Sequence, residues 1–420
     1  MPSPKQHRLF PLLIFLGAAF TFSVTMIGTT MPTPLYPIYQ DSFGFSDLMI
    51  TIIFATYAFG VIAALVLTGR WSDQIGRRPL LFAGLACSII SDLVFWQADG
   101  LAMILTGRVL SGLSAGIFTG TATVAVIELA PPHWREKATF FATAANMGGL
   151  GLGPMLAGAL SQYLPWPLHL TFLVHIAMAV LAVCCIWAAP ETVSKPARPK
   201  LTVQRLSVPP EVRGVFIPAA IAGFAGFAMC GFFTSIAPAM MGKVLGYDNR
   251  FLIGVVAGSI FIASTLGQFL QGRLPLRLRL PLGCASLMLG VIPIALGTYT
   301  QSLALFIAGA VIAGMGQGIS FRAGMGAERS TEPRTQFTVG DKKQSIYSFQ
   351  GADPEQFLKE KRDFAAAEEA LHGKANMPDM TMSFRSTQDV LDFVDGVFNQ
   401  DNFTGDPFTE TPPDEADLLK

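Results

Sequence analysis

Apolar positions gather into ten runs of near-spanning length, at about 9–31, 48–69, 79–97, 101–124, 138–160, 168–189, 215–241, 251–271, 280–299 and 302–322. About 20 apolar residues of helix cross the hydrocarbon of a bilayer, and backbone N–H and C=O groups find no partners in lipid, so each run predicts one transmembrane helix. The polar positions between runs alternate in charge. One set of connections holds Lys5 and Arg8, then Arg70, Arg77 and Arg78, then Arg135 and Lys137, then Lys195, Arg198, Lys200, Arg205 and Arg213, then Arg273, Arg277 and Arg279. The other set has no Lys or Arg apart from Lys243 and Arg250. Basic loops stay in the cytoplasm, so the N-terminus and the basic connections are expected there. Lys5 to Phe22 has the outline of a signal peptide, but no small-residue cleavage site leads into soluble sequence, and it reads as the first membrane helix.

After Arg322 the pattern stops. Residues 1–324 hold 19 basic and 10 acidic side chains, a net of +9, whereas residues 325–420 hold 10 and 19, a net of −9. The expected organisation is an N-terminal six-helix half (1–189), a basic, Pro-containing cytoplasmic linker (190–214), a four-helix second half (215–322) and a cytoplasmic tail (323–420). Over the whole chain 51% of residues are hydrophobic and 14% charged, with mean hydropathy +0.48. Soluble domains carry roughly a quarter charged residues, which excludes a water-soluble multidomain enzyme for most of the chain. Cys87, Cys184, Cys185, Cys230 and Cys284 lie in apolar runs without metal-ligand spacing, predicting small buried side chains and no metal site.

The connection after the second run reads GRWSDQIGRRP, with Gly69, Asp73, Gly76, Arg77 and Arg78. Gly69 permits close helix approach, Gly76 permits a backbone bend, and Asp73 can neutralise arginines or face a helix N-terminus. This resembles the GxxxDxxGRR signature of the major facilitator superfamily of secondary transporters. Arg108 sits inside the fourth run, followed by Gly112 and Gly116; an arginine at that depth faces a bundle interior or cavity. By the resemblance it marks a substrate- or proton-linked face, and a structural ion pair is the alternative. In the fifth run Gly149, Gly153 and Gly158 are expected to form one flat packing face, with Pro154 loosening the backbone ladder. That run is similar to the GxxxGPxxGG motif of drug–proton antiporters, and Pro190-Glu191-Thr192 is a familiar ending of the sixth helix. Asp92 in the third run is a candidate coupling acid or a satisfied buried acid. Glu128, the other candidate, is expected to pair with Arg77 or Arg78, and Asp99 lies at an outer edge. Thr29, Thr30, Pro32, Thr33, Pro34, Asn146, Gln268 and Gln317 are further polar or irregular positions that could line a cavity. Gly272-Arg273 repeats the first signature loosely, with leucine at position 276 where the aspartate would stand.

The tail resembles another family. Phe337 to Asp353, with Gln344, Tyr347 and Phe349, looks like motif III of UvrD-type DNA helicases, and Ser383-Phe384-Arg385-Ser386 looks like their motif IV. The wording is nearest to the helicase–nuclease subunit AddA. The resemblance implies a fragment of a RecA-like α/β domain, with strands near 337–340 and 380–383 and helices near 354–371 and 387–399. It puts Gln344 and Arg385 near the ATP γ-phosphate, and Tyr347 and Phe349 against unpaired bases. No GxxxxGK[ST] loop occurs in the sequence, so nothing of that kind cradles nucleotide phosphates.

The chain is therefore expected to be an all-α polytopic membrane protein of the major facilitator fold, with about ten transmembrane helices and a C-terminal α/β helicase fragment. By the resemblance helices 11 and 12 are absent, and Asp73 would otherwise lie against the start of helix 11. The expected function is secondary transport of a small solute in the bacterial inner membrane, by proton-coupled efflux or antiport, in a truncated form that transports poorly or not at all. The proton gradient supplies energy, no cofactor or catalytic residue is implied, and the chain is expected to be a monomer without functional nucleic-acid binding. Two alternatives stay open: a fragment of a DNA repair helicase, and a chimeric reading frame without a working product.

Overall fold

In the computed structural model the described residues are 4–193, 195, 208 and 213–325. Most of the linker, and every expectation placed on the tail, including Gln344, Tyr347, Phe349 and Arg385, lie outside them. Among the described residues the fold is helical. The elements are α1 (Pro4–Thr30), α2 (Tyr36–Phe43), α3 (Asp47–Thr68), α4 (Trp71–Ile75), α5 (Arg77–Trp96), α6 (Leu101–Glu128), α7 (Arg135–Thr143), α8 (Gly149–Tyr163), α9 (Pro167–Ala188), α10 (Arg213–Ser235), α11 (Ala237–Lys243), α12 (Arg250–Leu270), α13 (Leu276–Tyr299) and α14 (Leu303–Met325).

Nine helical stretches among the described residues are long and apolar enough to span a membrane. The predicted span at 138–160 is not one of these; there α7 runs into a π-helical turn, Ala144–Gly148, before α8 begins. A π turn inserts one residue into the hydrogen-bond ladder and re-aims the side chains beyond it. The seventh span also differs. It ends at Ser235, and Ala237–Lys243 forms a separate helix with Pro238 in its first turn, because proline has no N–H to continue the ladder. The hydroxyl of Ser235 donates to Gly231 O at 2.7 Å within the last turn of α10.

Lipid tails are as apolar as leucine, so helices associate here through close packing at small residues. A Cβ on Gly60 of α3 would lie 2.7 Å from Val109 O of α6, and one on Gly290 of α13 would lie 2.6 Å from Ala313 N of α14. Buried phenylalanines fill the layer between these contacts; Phe233 of α10 and Phe306 of α14 have ring centroids 5.5 Å apart. The cysteines follow the expectation only at Cys230, which is buried. Cys184 is exposed on α9 and the other three are half-buried, because an outward helix face accepts apolar residues when its solvent is lipid.

Candidate functional site

The turn after α3 is built around glycine and carboxylates. Gly69 closes α3 in right-handed conformation, its N–H on Leu65 O at 3.1 Å. Gly76 has φ 104°, where a side chain would be strained, and a Cβ there would strike the Glu191 carboxylate. That carboxylate, reaching over from beyond α9, accepts from the backbone N–H of Arg77 at 2.8 Å and of Arg78 at 3.2 Å. It thus caps α5, whose preceding glycine offers no side chain to do so. Arg77 is inserted between Asp73 (2.7 Å) and Glu128 (3.1 Å), and also donates to Ser72 at 2.6 Å. Glu128 therefore pairs with Arg77, while Arg78 donates to Trp187 O at 2.8 Å. The sequence singled out Glu191 only as part of a familiar ending; its capping role had no local signal, because its partners are 113 and 114 positions away.

Arg108 is 1% exposed on α6 and meets no carboxylate at ion-pair distance among the described residues. The structural ion pair considered for it is thus not formed there. Its Nη1 donates to Thr29 O of α1 at 2.6 Å, and its guanidinium lies 5.6 Å from the Tyr36 ring and 5.1 Å from the Tyr57 ring. Two aromatic faces partly replace a counter-ion for a desolvated cation. Gly112, one turn along, packs on α3 beside Gly60.

Asp92 of α5 is 3% exposed and faces His175 of α9, which is fully buried. His175 Nδ1 lies 2.6 Å from Asp92 Oδ2, and Nε2 lies 2.8 Å from Val24 O of α1. The imidazole fills the notch left by Gly28, where a Cβ would come within 2.7 Å of Nε2. Sequence reasoning picked out Asp92 and missed His175. The signal was available: an acid inside a membrane helix requires a partner, and His175 is a base inside another predicted span.

The glycines of α8 do not form one face. Gly149 and Gly153 pack against Ser23, Met26 and Ile27 of α1, whereas Gly151 and Gly158 pack against α12, at Gly258 O and at Arg250 and Phe251. At 100° per residue, position 158 points half a turn away from 149, so the motif serves two interfaces. Pro154 belongs to the second, its carbonyl against Gly254. Thr30 Oγ1 ties the first, donating to Leu150 O at 2.8 Å. Among the other polar positions, Ser264 donates to Gln317 Oε1 and Gln268 Nε2 donates to Ser264 at 3.4 Å, a buried cluster between α12 and α14. Asn146 lies within the π turn.

The two basic residues that fall outside the basic connections each tie a later helix to an earlier one. Lys243 contacts Asp47 at 2.6 Å, and Arg250 donates through its backbone to Gln162 at 2.8 Å and through Nη1 to Ser161 O at 3.0 Å. A cavity of about 300 Å³ adjoins the first clasp, lined by Asp47, Thr51, Ser235, Met240 and Lys243.

Apolar spanning helices that bury an arginine, an aspartate and a histidine define a multi-pass membrane protein of the transporter class. The Major Facilitator Superfamily model matches residues 18–327, and the chain belongs to that family. A UvrD/REP helicase N-terminal domain model matches residues 327–365, beginning where the first match ends. Relatives carrying the name "Putative multidrug resistance protein MdtD" include that of Enterobacter sp. (strain 638), 27% identical over 173 residues, covering 41% of this chain and 36% of the relative. That of Klebsiella pneumoniae (strain 342) is 28% identical over 163 residues, covering 39% and 34%. The chain thus spans about a third of the length of these curated relatives. The fold is shared with the E. coli xylose transporter XylE in a partially occluded inward-open conformation, at TM-score 0.60 and 14% identity, covering 76% of this chain and 87% of that one. It is also shared with a bacterial homolog of the human lysosomal transporter Spinster in an inward-facing conformation, at TM-score 0.57 and 16% identity, covering 78% and 76%.

Proposed function

We propose that residues 1–322 form a proton-coupled efflux transporter or antiporter of small solutes that works by alternating access, in the bacterial inner membrane. The observation that carries this reading is the burial of Arg108, Asp92 and His175 inside the spans of a chain of this family, since intramembrane ionisable groups are costly unless used. Similarity to relatives named for multidrug resistance supports efflux as the direction. In this reading the basic connections, the N-terminus and the acidic tail are cytoplasmic, energy comes from the proton gradient without a cofactor, and the chain is a monomer without enzymatic activity. The motif of Gly69, Asp73, Gly76, Arg77 and Arg78 controls closure on the cytoplasmic side, and Arg108 with Gly112 forms the substrate-linked face.

We further infer that the second half is incomplete. The family match gives way to a helicase match at residue 327, and the spans number ten in our reading. Without two further helices the gating equilibrium loses packing partners, and transport by this chain is weak or absent. The test is ethidium accumulation in efflux-deficient bacteria expressing this chain or the same chain with two spanning helices added after Arg322. Low accumulation only with the extended chain supports the reading; equally low accumulation with both chains, below that of the empty host, removes it. The helicase resemblance leads to a separate expectation: purified residues 323–420 show no DNA-stimulated ATP hydrolysis above a Gln344→Ala control, and turnover lost in that control would favour a helicase fragment instead.

A further inference from the structure

We propose that Asp92 and His175 jointly hold one exchangeable proton, that the conformation described above is the loaded state, and that release of this proton unlocks α1 from α5 and α9. The inference rests on the proton-coupled reading and names its carrier as a pair. It begins with the hydrogen bonds of the imidazole. Val24 O is a carbonyl and only accepts, so Nε2, 2.8 Å away, carries a hydrogen. Nδ1 and Asp92 Oδ2, 2.6 Å apart, then share a second hydrogen. It sits on nitrogen, giving imidazolium and carboxylate, or on oxygen, giving imidazole and carboxylic acid. Both arrangements hold the same number of protons and the same net charge of zero, which suits a pair removed from water.

Loss of the shared proton to water leaves one hydrogen for two acceptor-facing nitrogens. If it stays on Nε2, the bare Nδ1 confronts the Asp92 carboxylate; if it moves to Nδ1, the bare Nε2 confronts Val24 O. One hydrogen bond is lost, and a net negative charge remains in a buried site. The ring cannot retreat toward α1, because its atoms already occupy the notch at Gly28. Relaxation therefore separates helices. Movement of α1 at Val24 and Gly28 bears directly on Thr29, whose carbonyl Arg108 holds at 2.6 Å, and on Thr30, bonded to Leu150 of α8. Protonation of one pair is thereby linked to the arginine of α6 and to the α1–α8 contact.

The surrounding groups leave this pair as the exchangeable element. Between Phe10 and Thr30, α1 carries no ionisable side chain. From α6 the charged groups are Arg108, committed to Thr29 O and two tyrosine rings, and Glu128, paired with Arg77 at the far end of α5. On α5 and α9 the remaining titratable residues are Arg77, Arg78, Cys87, His169, Cys184 and Cys185; Arg77 and Arg78 sit at the far end of α5, and His169 lies edge-on to Trp96. From α2, Tyr39 donates to Phe95 O at 3.5 Å beside the stacked Phe95–Phe172 pair, and Tyr36 lies against Arg108.

Nitrogen-15 NMR of the full chain in lipid nanodiscs, labelled at its five histidine imidazoles, tests the pair directly. The His175 signals, assigned by their loss in His175→Gln, should show Nε2 protonated at low and neutral pH and, as pH rises, a single change at Nδ1, from protonated or hydrogen-bonded to the Asp92 acid to bare. Asp92→Asn can still donate an amide hydrogen to Nδ1 and has no acid, so it should fix His175 as the neutral Nε2–H form with no step. A wild-type spectrum with Nε2 bare at neutral pH would overturn the proposal, as would a step in Asp92→Asn matching the wild type. If Asp92→Asn fails to fold, the wild-type tautomer and its step decide alone. The spectra do not depend on solute movement, so a pair that titrates as described in a chain that carries nothing even when extended by two helices would count against the transport reading only.

Discussion

Arg77, Glu128 and Glu191 illustrate how a few polar atoms hold a turn at the membrane boundary. Arg77 is largely buried while its partners Asp73 and Glu128 are partly exposed, with side-chain exposures of 11%, 60% and 32%. Removing it strands two carboxylates. Arg77→Ala should cost about 1–3 kcal/mol, below the range for fully buried pairs because solvent screens both acids. Glu191→Ala removes acceptors from two backbone N–H groups at the start of α5 and should cost about 1–2 kcal/mol. Thermal unfolding in detergent micelles measures both; an unchanged midpoint for Glu191→Ala would mean that water caps α5 equally well. The residue scale was only half legible in the sequence. Asp73, Arg77, Arg78, Arg108 and Asp92 stood out because charge within or beside an apolar run is conspicuous. Their partners His175, Glu191, Thr29 O and the tyrosine rings did not, because those contacts are made between helices far apart along the chain.

At the level of elements, the length of the apolar runs located the nine spans of the described residues, and the departures occur where hydropathy carries no information. Hydropathy does not register the π turn at Ala144–Gly148, since a sum over residue types is blind to whether the ladder closes at the fourth or the fifth residue. The break at Ile236 followed by Pro238 was legible as a proline, but its neighbours are apolar enough to read as one run. The two interfaces of α8 make a graded prediction. Gly153→Val crowds α1 at Ile27 O and Thr30, and Gly158→Val crowds α12 at Arg250 and Phe251. Each should destabilise by about 1–3 kcal/mol through overpacking. Because the two faces are opposite, the effects should add in the double variant to within about 0.5 kcal/mol. Marked non-additivity in denaturant unfolding would indicate a single shared face.

For the molecule as a whole, the two basic residues outside the alternation of charge, Lys243 and Arg250, each tie a later helix to an earlier one. The Lys243–Asp47 pair is more than half exposed, so it contributes no more than about 1 kcal/mol and weakens in salt. In Lys243→Ala, a cysteine introduced at Ser235 beside the clasp should be alkylated up to about fivefold faster, and high salt should mimic the variant; no change in either would show that the clasp does not hold the face closed. Cysteines at Ser42 and Ser302 should label from outside the cell and one at Ser194 should not, with external labelling at Ser194 contradicting the orientation.

The most direct test of a proton-coupled transporter with an incomplete second half is proton flux in proteoliposomes containing pyranine under an imposed pH gradient, with ethidium added as substrate. The account predicts substrate-dependent proton movement for the chain extended by two helices after Arg322, its loss in Asp92→Asn, and little or none for the chain as it stands. Equal flux from the two chains, impaired equally in both by Asp73→Asn, would contradict it.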